Sequence, residues 1–365
     1  MNKHPLFKKH IEQAKEFPMR KPLPQKDNWE HFYKMSSNEN LLGPSPKAIE
    51  AMRNAIGNVN EYDHYDNNEF HEVLAKHHGN GLKPQQFITC NSGVEVIETI
   101  CKGLVSVGSE CIISMPTFTP YENLSELEGG KVINIPLKLP DYALDTEGIL
   151  SAINEKTALI FITNPNNPTG TYVNKQIMDA FIAKIPDHVI VVYDEVYHHF
   201  VDADDFPYAI DYIKEGKNVI ALHTFSKIYG LAGLRIGYAF STPAIGEYLN
   251  KIFRPFRIGT LQVNAAFAAL KDTEHVKRSQ EMVWEGKRWL YKKFEEAAIR
   301  YWPTQGNFIL FESPIQDDEL AEEMLKGGVM VRPGKGFGAD NAIRVTIGTK
   351  AANQRFWELL KKIMN

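Results

Sequence analysis

The chain has 365 residues, 43% of them hydrophobic and 24% charged, with a formal net charge of −4. That length suggests two domains and supplies enough apolar side chains for a large core. The charge balance offers no basic field for nucleic acid, and no apolar run is long enough to span a membrane.

Taken in chain order, the first stretch, MNKHPLFKKHIEQAKEF, is too charged for a secretory signal. Its Leu6, Phe7 and Ile11 suit a short surface helix. Ser45-Pro46 fits an N-cap followed by the first helical position. Residues 86–90 read as a strand, followed by a helix from 93 to 104. Residues 110–115, 157–163 (TALIFIT), 189–193 (VIVVY) and 219–222 (VIAL) are further strands. Near-continuous apolar strands imply burial on both faces. Their alternation with helices predicts an α/β fold, with a mostly parallel central sheet and helices on both faces. Past residue 260 a helical period runs from 261 to 300. Strand candidates come next at 308–311, 329–331 and 343–346, which describes a smaller α+β domain. The expected division is an N-terminal arm (1–46) packing on the small domain, a large domain (47–259) and a small C-terminal domain (260–365). Cys90, Cys101 and Cys111 form no CxxC pair and are odd in number. They read as reduced, buried packing residues of a cytoplasmic protein.

The residues directly after each strand are more informative. Asn91-Ser92-Gly93, Pro116-Thr117-Phe118, the loop NPNNPTG (164–170), Asp194-Glu195 and His223 to Lys227 all occupy such positions. Each alone is an ordinary polar loop. Together they deliver polar and aromatic groups to the carboxyl edge of an open sheet, where ligands bind in α/β folds.

The segment TFSKIYGLAGLRIGY (224–238), with its pattern SK-x-x-GLAG-x-R-x-GY, resembles the pyridoxal-phosphate (PLP) lysine signature of class I/II aminotransferases. NPNNPTG and DEVY (194–197) fit the same family in order and spacing. SSNENLLGPSP (36–46) and IRVTIGT (343–349) resemble its histidinol-phosphate aminotransferase branch. The likeness runs from about residue 36 to the C-terminus. It implies the PLP-dependent transferase fold and PLP as cofactor. The implied reaction moves an amino group from a small-molecule donor, histidinol-phosphate-like or aromatic, to a 2-oxo acid such as 2-oxoglutarate. A homodimer is implied as well.

The resemblance also assigns roles. Lys227 matches the lysine that bonds to the cofactor and later shuttles the proton, a task that needs a setting that lowers its pKa. Asp194 would face the pyridine nitrogen, and Asn167 and Tyr197 the ring oxygen. Phe118 would stack on the ring. The backbone N–H groups of Gly93 and Val94, with Thr224, Ser226 and Arg235, would hold the phosphate at a helix start. Tyr62 matches the tyrosine that reaches the phosphate of the neighbouring subunit, with Tyr65 as a competitor. Arg344 would fork onto the substrate anion, and Arg332 offers a second anion contact. Two departures stand out. The phosphate turn is Ser92-Gly93-Val94-Glu95, without the family's aspartate. The Tyr-x-Pro-Gly stretch usual upstream is PMRKPLPQ here, with no tyrosine.

Other patterns point elsewhere. GKGFG (334–338) lacks the βαβ context of a dinucleotide site. Asp63, His64, Asp66, His71, His77 and His78 lack metal-motif spacing, so no metal is expected. His198-His199 reads as a helix-edge pair. A rival reaction on the same residues is decarboxylation, as in the related threonine-phosphate decarboxylases. A PLP-binding regulator would need a DNA-binding module, for which too few residues precede position 36 and no basic patch exists.

Overall fold

The computed structural model describes residues 8–12, 32–62, 67–252 and 257–364. A 3-10 turn, Lys9–Glu12, stands where the surface helix was expected; Leu6 and Phe7 lie outside the described residues. Strand β1 (Tyr33–Lys34) is next, then the helix Pro46–Ala55. Ser45 caps that helix, accepting from the Ala48 amide at 3.2 Å, with Pro46 at its first position.

The central sheet has seven strands: β2 (Phe87–Cys90), β3 (Glu110–Ile113), β4 (Lys131–Asn134), β5 (Thr157–Thr163), β6 (Ile190–Asp194), β7 (Val219–Thr224) and β8 (Gly237–Phe240). Their spatial order is β2-β8-β7-β6-β5-β3-β4. Only β8 runs against its neighbours. Successive side chains of the middle strands feed two separate cores. Leu159, Phe161, Val192, Ile220 and Leu222 point to one, and Ile160, Ile162, Val191, Tyr193 and Ala221 to the other. This two-sided burial is what the near-continuous apolar strands encode.

Sequence reasoning missed β4 and β8. The first is a short edge strand with an exposed lysine and asparagine at its ends. The second lies inside the lysine signature and pairs antiparallel between β2 and β7. Strand β7 also runs further than the apolar run. His223 and Thr224 stay in the sheet because Tyr238 and Gly237 of β8 pair with them.

The remaining strands are β9 (Tyr301–Trp302), β10 (Phe308–Glu312), β11 (Val329–Met330), β12 (Arg332–Pro333) and β13 (Ala342–Thr346). They divide between two sheets. Strands β12-β13-β10-β9 form an antiparallel sheet, while β11 pairs in parallel with β1. The expected strand at 329–331 is thereby split at Val331. The arm continues inward: Met35 N donates to Met330 O, and Thr346 N to Met35 O, each at 2.8 Å. The single helical period at 261–300 resolves into two helices, Thr260–Leu270 and Thr273–Glu296. Asp272 breaks it by capping the second, and its carboxylate also accepts from Ser45 Oγ at 2.6 Å. The three cysteines are free and buried. Among the described residues no helix is long and apolar enough to cross a membrane.

Two glycines of the lysine signature are fixed by geometry. Gly230 has φ +68, and a Cβ there would collide with the Gly43 carbonyl. A Cβ on Gly237 would run into the backbone of Ser92 and Gly93, so the sheet and the start of the helix Gly93–Leu104 meet without a side chain between them. Gly230→Ala combines strain with a backbone clash. We expect it to lower stability by more than about 1 kcal/mol, read as a drop in the thermal midpoint of the cofactor-free chain.

Candidate active site

Lys227 lies just past β7 in a turn held by its own hydroxyls. Ser226 N donates to Thr224 Oγ1 at 3.1 Å, and Thr224 Oγ1 donates to Ser226 Oγ at 2.9 Å. The Lys227 ammonium donates to Ser37 O at 3.1 Å and lies 5.7 Å from the centre of the Tyr197 ring. Burial first, then the neighbouring Arg344 cation, lowers its pKa to about 8. A larger share of neutral amine at neutral pH is what a nucleophilic lysine requires.

Asp194 ends β6 and is buried. Its Oδ2 accepts from Tyr121 OH at 2.6 Å and its Oδ1 from Val196 N at 3.2 Å. Burial raises its pKa to about 6, while those hydrogen bonds and Lys227 pull the other way. Tyr121 is also 2.9 Å from Thr163 Oγ1 and stands edge-on to Phe118, with ring centres 5.6 Å apart. Tyr197 OH accepts from Asn38 Nδ2 at 2.9 Å, which leaves its own proton to donate. The Tyr197 ring stands edge-on to Phe308 of β10 at 5.0 Å.

Arg344 comes from β13 and is buried. It donates to Asn167 Oδ1 and, at 2.6 Å, to Ser36 O. Holding the Asn167 oxygen this way leaves the amide nitrogen of that side chain to face elsewhere as a donor. Arg332 pairs with Arg344 across the β12–β13 register. Both guanidinium groups lie near the Phe337 ring, at 5.3 and 4.8 Å from its centre. Phe337 belongs to GKGFG, which forms a loop and a 3-10 turn rather than a dinucleotide motif.

Gly93 and Val94 open the helix Gly93–Leu104, whose N-cap Ser92 accepts from Glu95 N at 3.2 Å. Val94 stands where the family has aspartate, and Glu95 closes the turn: its Oε2 accepts from Asn91 N at 2.5 Å. Arg235 is exposed, takes φ +56, and donates to Ala232 O at 2.9 Å. It therefore does not bond to Thr224 or Ser226, although its charge is felt at Lys227. Tyr62 is 72% exposed in the single chain; Tyr65, Asp63, His64 and Asp66 lie outside the described residues.

The structure thus brings Lys227, Tyr197, Asp194, Asn167 and Arg344 into one polar cluster, with Phe118 joined to it through Tyr121. Sequence reasoning missed Tyr121, three residues after Phe118 in PTFTPY, and Asn38, inside SNENLLGPSP. It also misread the histidines. His198 and His199 open a half-buried 3-10 turn rather than edging an α-helix, with ring centres 3.9 Å apart. His223 bridges Glu195 Oε1 at 2.8 Å and the Tyr238 hydroxyl at 3.0 Å.

PLP, when bound, supplies an aldehyde for a lysine amine and a ring that withdraws electrons. The donor set suits it: an amine of lowered pKa, a buried carboxylate, phenol and amide donors, and a helix start. Fold and site together define a class, the PLP-dependent aminotransferases. The chain belongs to the aminotransferase class I and II family, whose profile matches residues 30–360. It is 40% identical to a histidinol-phosphate aminotransferase of Moorella thermoacetica, over 91% of this chain and 85% of that protein. It is 36% identical to histidinol-phosphate aminotransferase 2 of Carboxydothermus hydrogenoformans, over 98% and 99% of the two chains. Among solved structures, it is similar to a putative histidinol-phosphate aminotransferase from Erwinia carotovora atroseptica. That match has a TM-score of 0.86 and 27% identity, and covers 94% of this chain and 98% of the other. The Sinorhizobium meliloti histidinol-phosphate aminotransferase, solved with pyridoxal-5'-phosphate, shares the fold at a TM-score of 0.84 and 24% identity, covering 99% of both chains.

Proposed function

We propose that the chain moves the amino group of a histidinol-phosphate-like or aromatic amine onto a 2-oxo acid such as 2-oxoglutarate. The observation that carries this reading is the Arg344 guanidinium. It is buried, held by Asn167 and the Ser36 carbonyl, and close enough to Lys227 to lower its pKa. A fixed cation beside a reactive amine positions an anionic substrate. The names of the relatives support histidinol phosphate as the first donor to test.

In this reading Lys227 holds the cofactor and then carries the proton. Asp194 keeps the ring nitrogen charged, and Tyr197 and Asn167 donate to the ring oxygen. Phe118 covers one face. The amides of Gly93 and Val94, with Thr224, Ser226 and Arg235, hold the phosphate, for which Arg235 turns from the Ala232 carbonyl. Arg332 adds a second anion contact. The protein works as a homodimer in which Tyr62 crosses to the neighbouring site; its exposure in the single chain fits that role. The division into arm (1–46), large domain (47–259) and small domain (260–365) belongs to the same proposal.

The test is a panel of amino donors, including histidinol phosphate and aromatic amino acids, with 2-oxoglutarate. Glutamate should form in step with loss of donor. Carbon dioxide release without glutamate would replace this reading with decarboxylation. Arg344→Lys keeps the charge but loses the fork, so KM should rise roughly 10- to 100-fold with a smaller change in kcat.

A further inference from the structure

The turn after Asp194 is gripped from outside by one helix. Gln280, Trp284 and Lys287 are spaced four and three residues apart on Thr273–Glu296, hence on one face. Gln280 Nε2 donates to His199 O at 2.6 Å, Trp284 Nε1 to Phe200 O at 2.8 Å, and Lys287 Nζ to Asp202 Oδ1 at 2.7 Å. Gln305 joins them, accepting from Asp202 N at 2.8 Å through its Oε1.

The inner side of the same turn is tied to Tyr197. Phe200 N donates to Tyr197 O at 2.9 Å, and His198 N to Glu195 O at 2.9 Å. The outward carbonyls of His199 and Phe200 are thus the ones the helix takes. A 3-10 turn has few internal hydrogen bonds and is held in place largely by its surroundings. The groups around Tyr197 itself are Asn38, Phe308, Lys227, Arg344 and Asp194.

We propose that Gln280, Trp284 and Lys287 form a donor ladder that positions the Tyr197 hydroxyl against the cofactor ring oxygen. They are positioning residues, acting through the turn 198–202. Through them the long helix shares in setting the proton affinity at Lys227, about which the sequence gives no hint. The inference rests on the proposed role of Tyr197.

The experiment tracks the visible band of the lysine-bound cofactor against pH in the holoenzyme. The variants are Gln280→Met, Trp284→Phe, the double, Tyr197→Phe, and the double in the Tyr197→Phe background. The ladder substitutions change no charge. A Tyr197 hydroxyl donating to the ring oxygen competes with the proton on the Lys227 nitrogen, so displacing it raises the midpoint. The expected result is a rise of roughly 0.5 pH unit or more in the ladder double that disappears when Tyr197 is already phenylalanine. A lowered thermal midpoint with an unmoved band, or an equal shift in the Tyr197→Phe background, overturns the ladder while leaving Tyr197 in its role. If Tyr197→Phe alone leaves the midpoint unmoved, both fall. Should the double fail to fold, Trp284→Phe alone is scored by the same criteria, because it keeps the ring packing and removes one donor.

Discussion

Lys227→Ala should lower turnover by at least about 10^4-fold and leave the fold intact. The ammonium makes one hydrogen bond, to the Ser37 carbonyl, and feels the cations Arg344 and Arg235 against the carboxylates of Glu39 and Asp194. Its removal relieves the repulsion from Arg344 and Arg235 and gives up the attraction of Glu39 and Asp194, two effects that oppose each other. The pH dependence gives a second check. The folded pKa of about 8 lies below the ordinary lysine value of 10.5, so between them the unfolded chain binds more protons. Stability of the cofactor-free protein therefore rises with pH across that window. Lys227→Ala should remove this contribution, measured by denaturant titration at a series of pH values. A variant that retains turnover would end the assignment of Lys227.

Asp194→Asn should divide activity from stability. Loss of the carboxylate proposed to keep the ring nitrogen charged should cost roughly 10^3-fold in kcat. In the cofactor-free chain the effect on stability has the opposite sign. Asp194 has a folded pKa of about 6 against 3.8 for the free side chain, so the folded state binds the proton more tightly. Stability falls as pH rises from about 4 to about 6, and at neutral pH the buried charge costs about 3 kcal/mol. The asparagine variant should lose the Asp194 share of that decline and be the more stable protein at pH 7. Glu195, raised by burial to about 7, contributes a slope of the same sign, so the decline should shrink rather than vanish.

How much of the fold and site was legible in the sequence depends on how local the signal is. Lys227 was legible because the residues that build its turn, from Thr224 to Gly237, are contiguous and include glycines with no alternative. The middle strands were legible because burial on both faces leaves continuous apolar runs. Strand β8 was not, because Gly-Tyr-Ala-Phe is short and its antiparallel place between β2 and β7 is set by partners far along the chain. Asn38 and Thr346 are bonded across 308 positions, and no spacing rule joins them. Tyr121 reaches Asp194 across 73 positions, as a helix residue touching a strand end. Arg235 shows the converse limit. Its place in the motif is clear, yet its side chain donates to the Ala232 carbonyl three residues back.

The central claim is that PLP bonds to Lys227. Purified protein supplied with PLP, reduced with borohydride and digested, tests it directly. The expected result is loss of the visible band and one reduced cofactor adduct, on the peptide containing Lys227. An adduct on another lysine, or no stable adduct in protein that folds and is saturated with PLP, would contradict it.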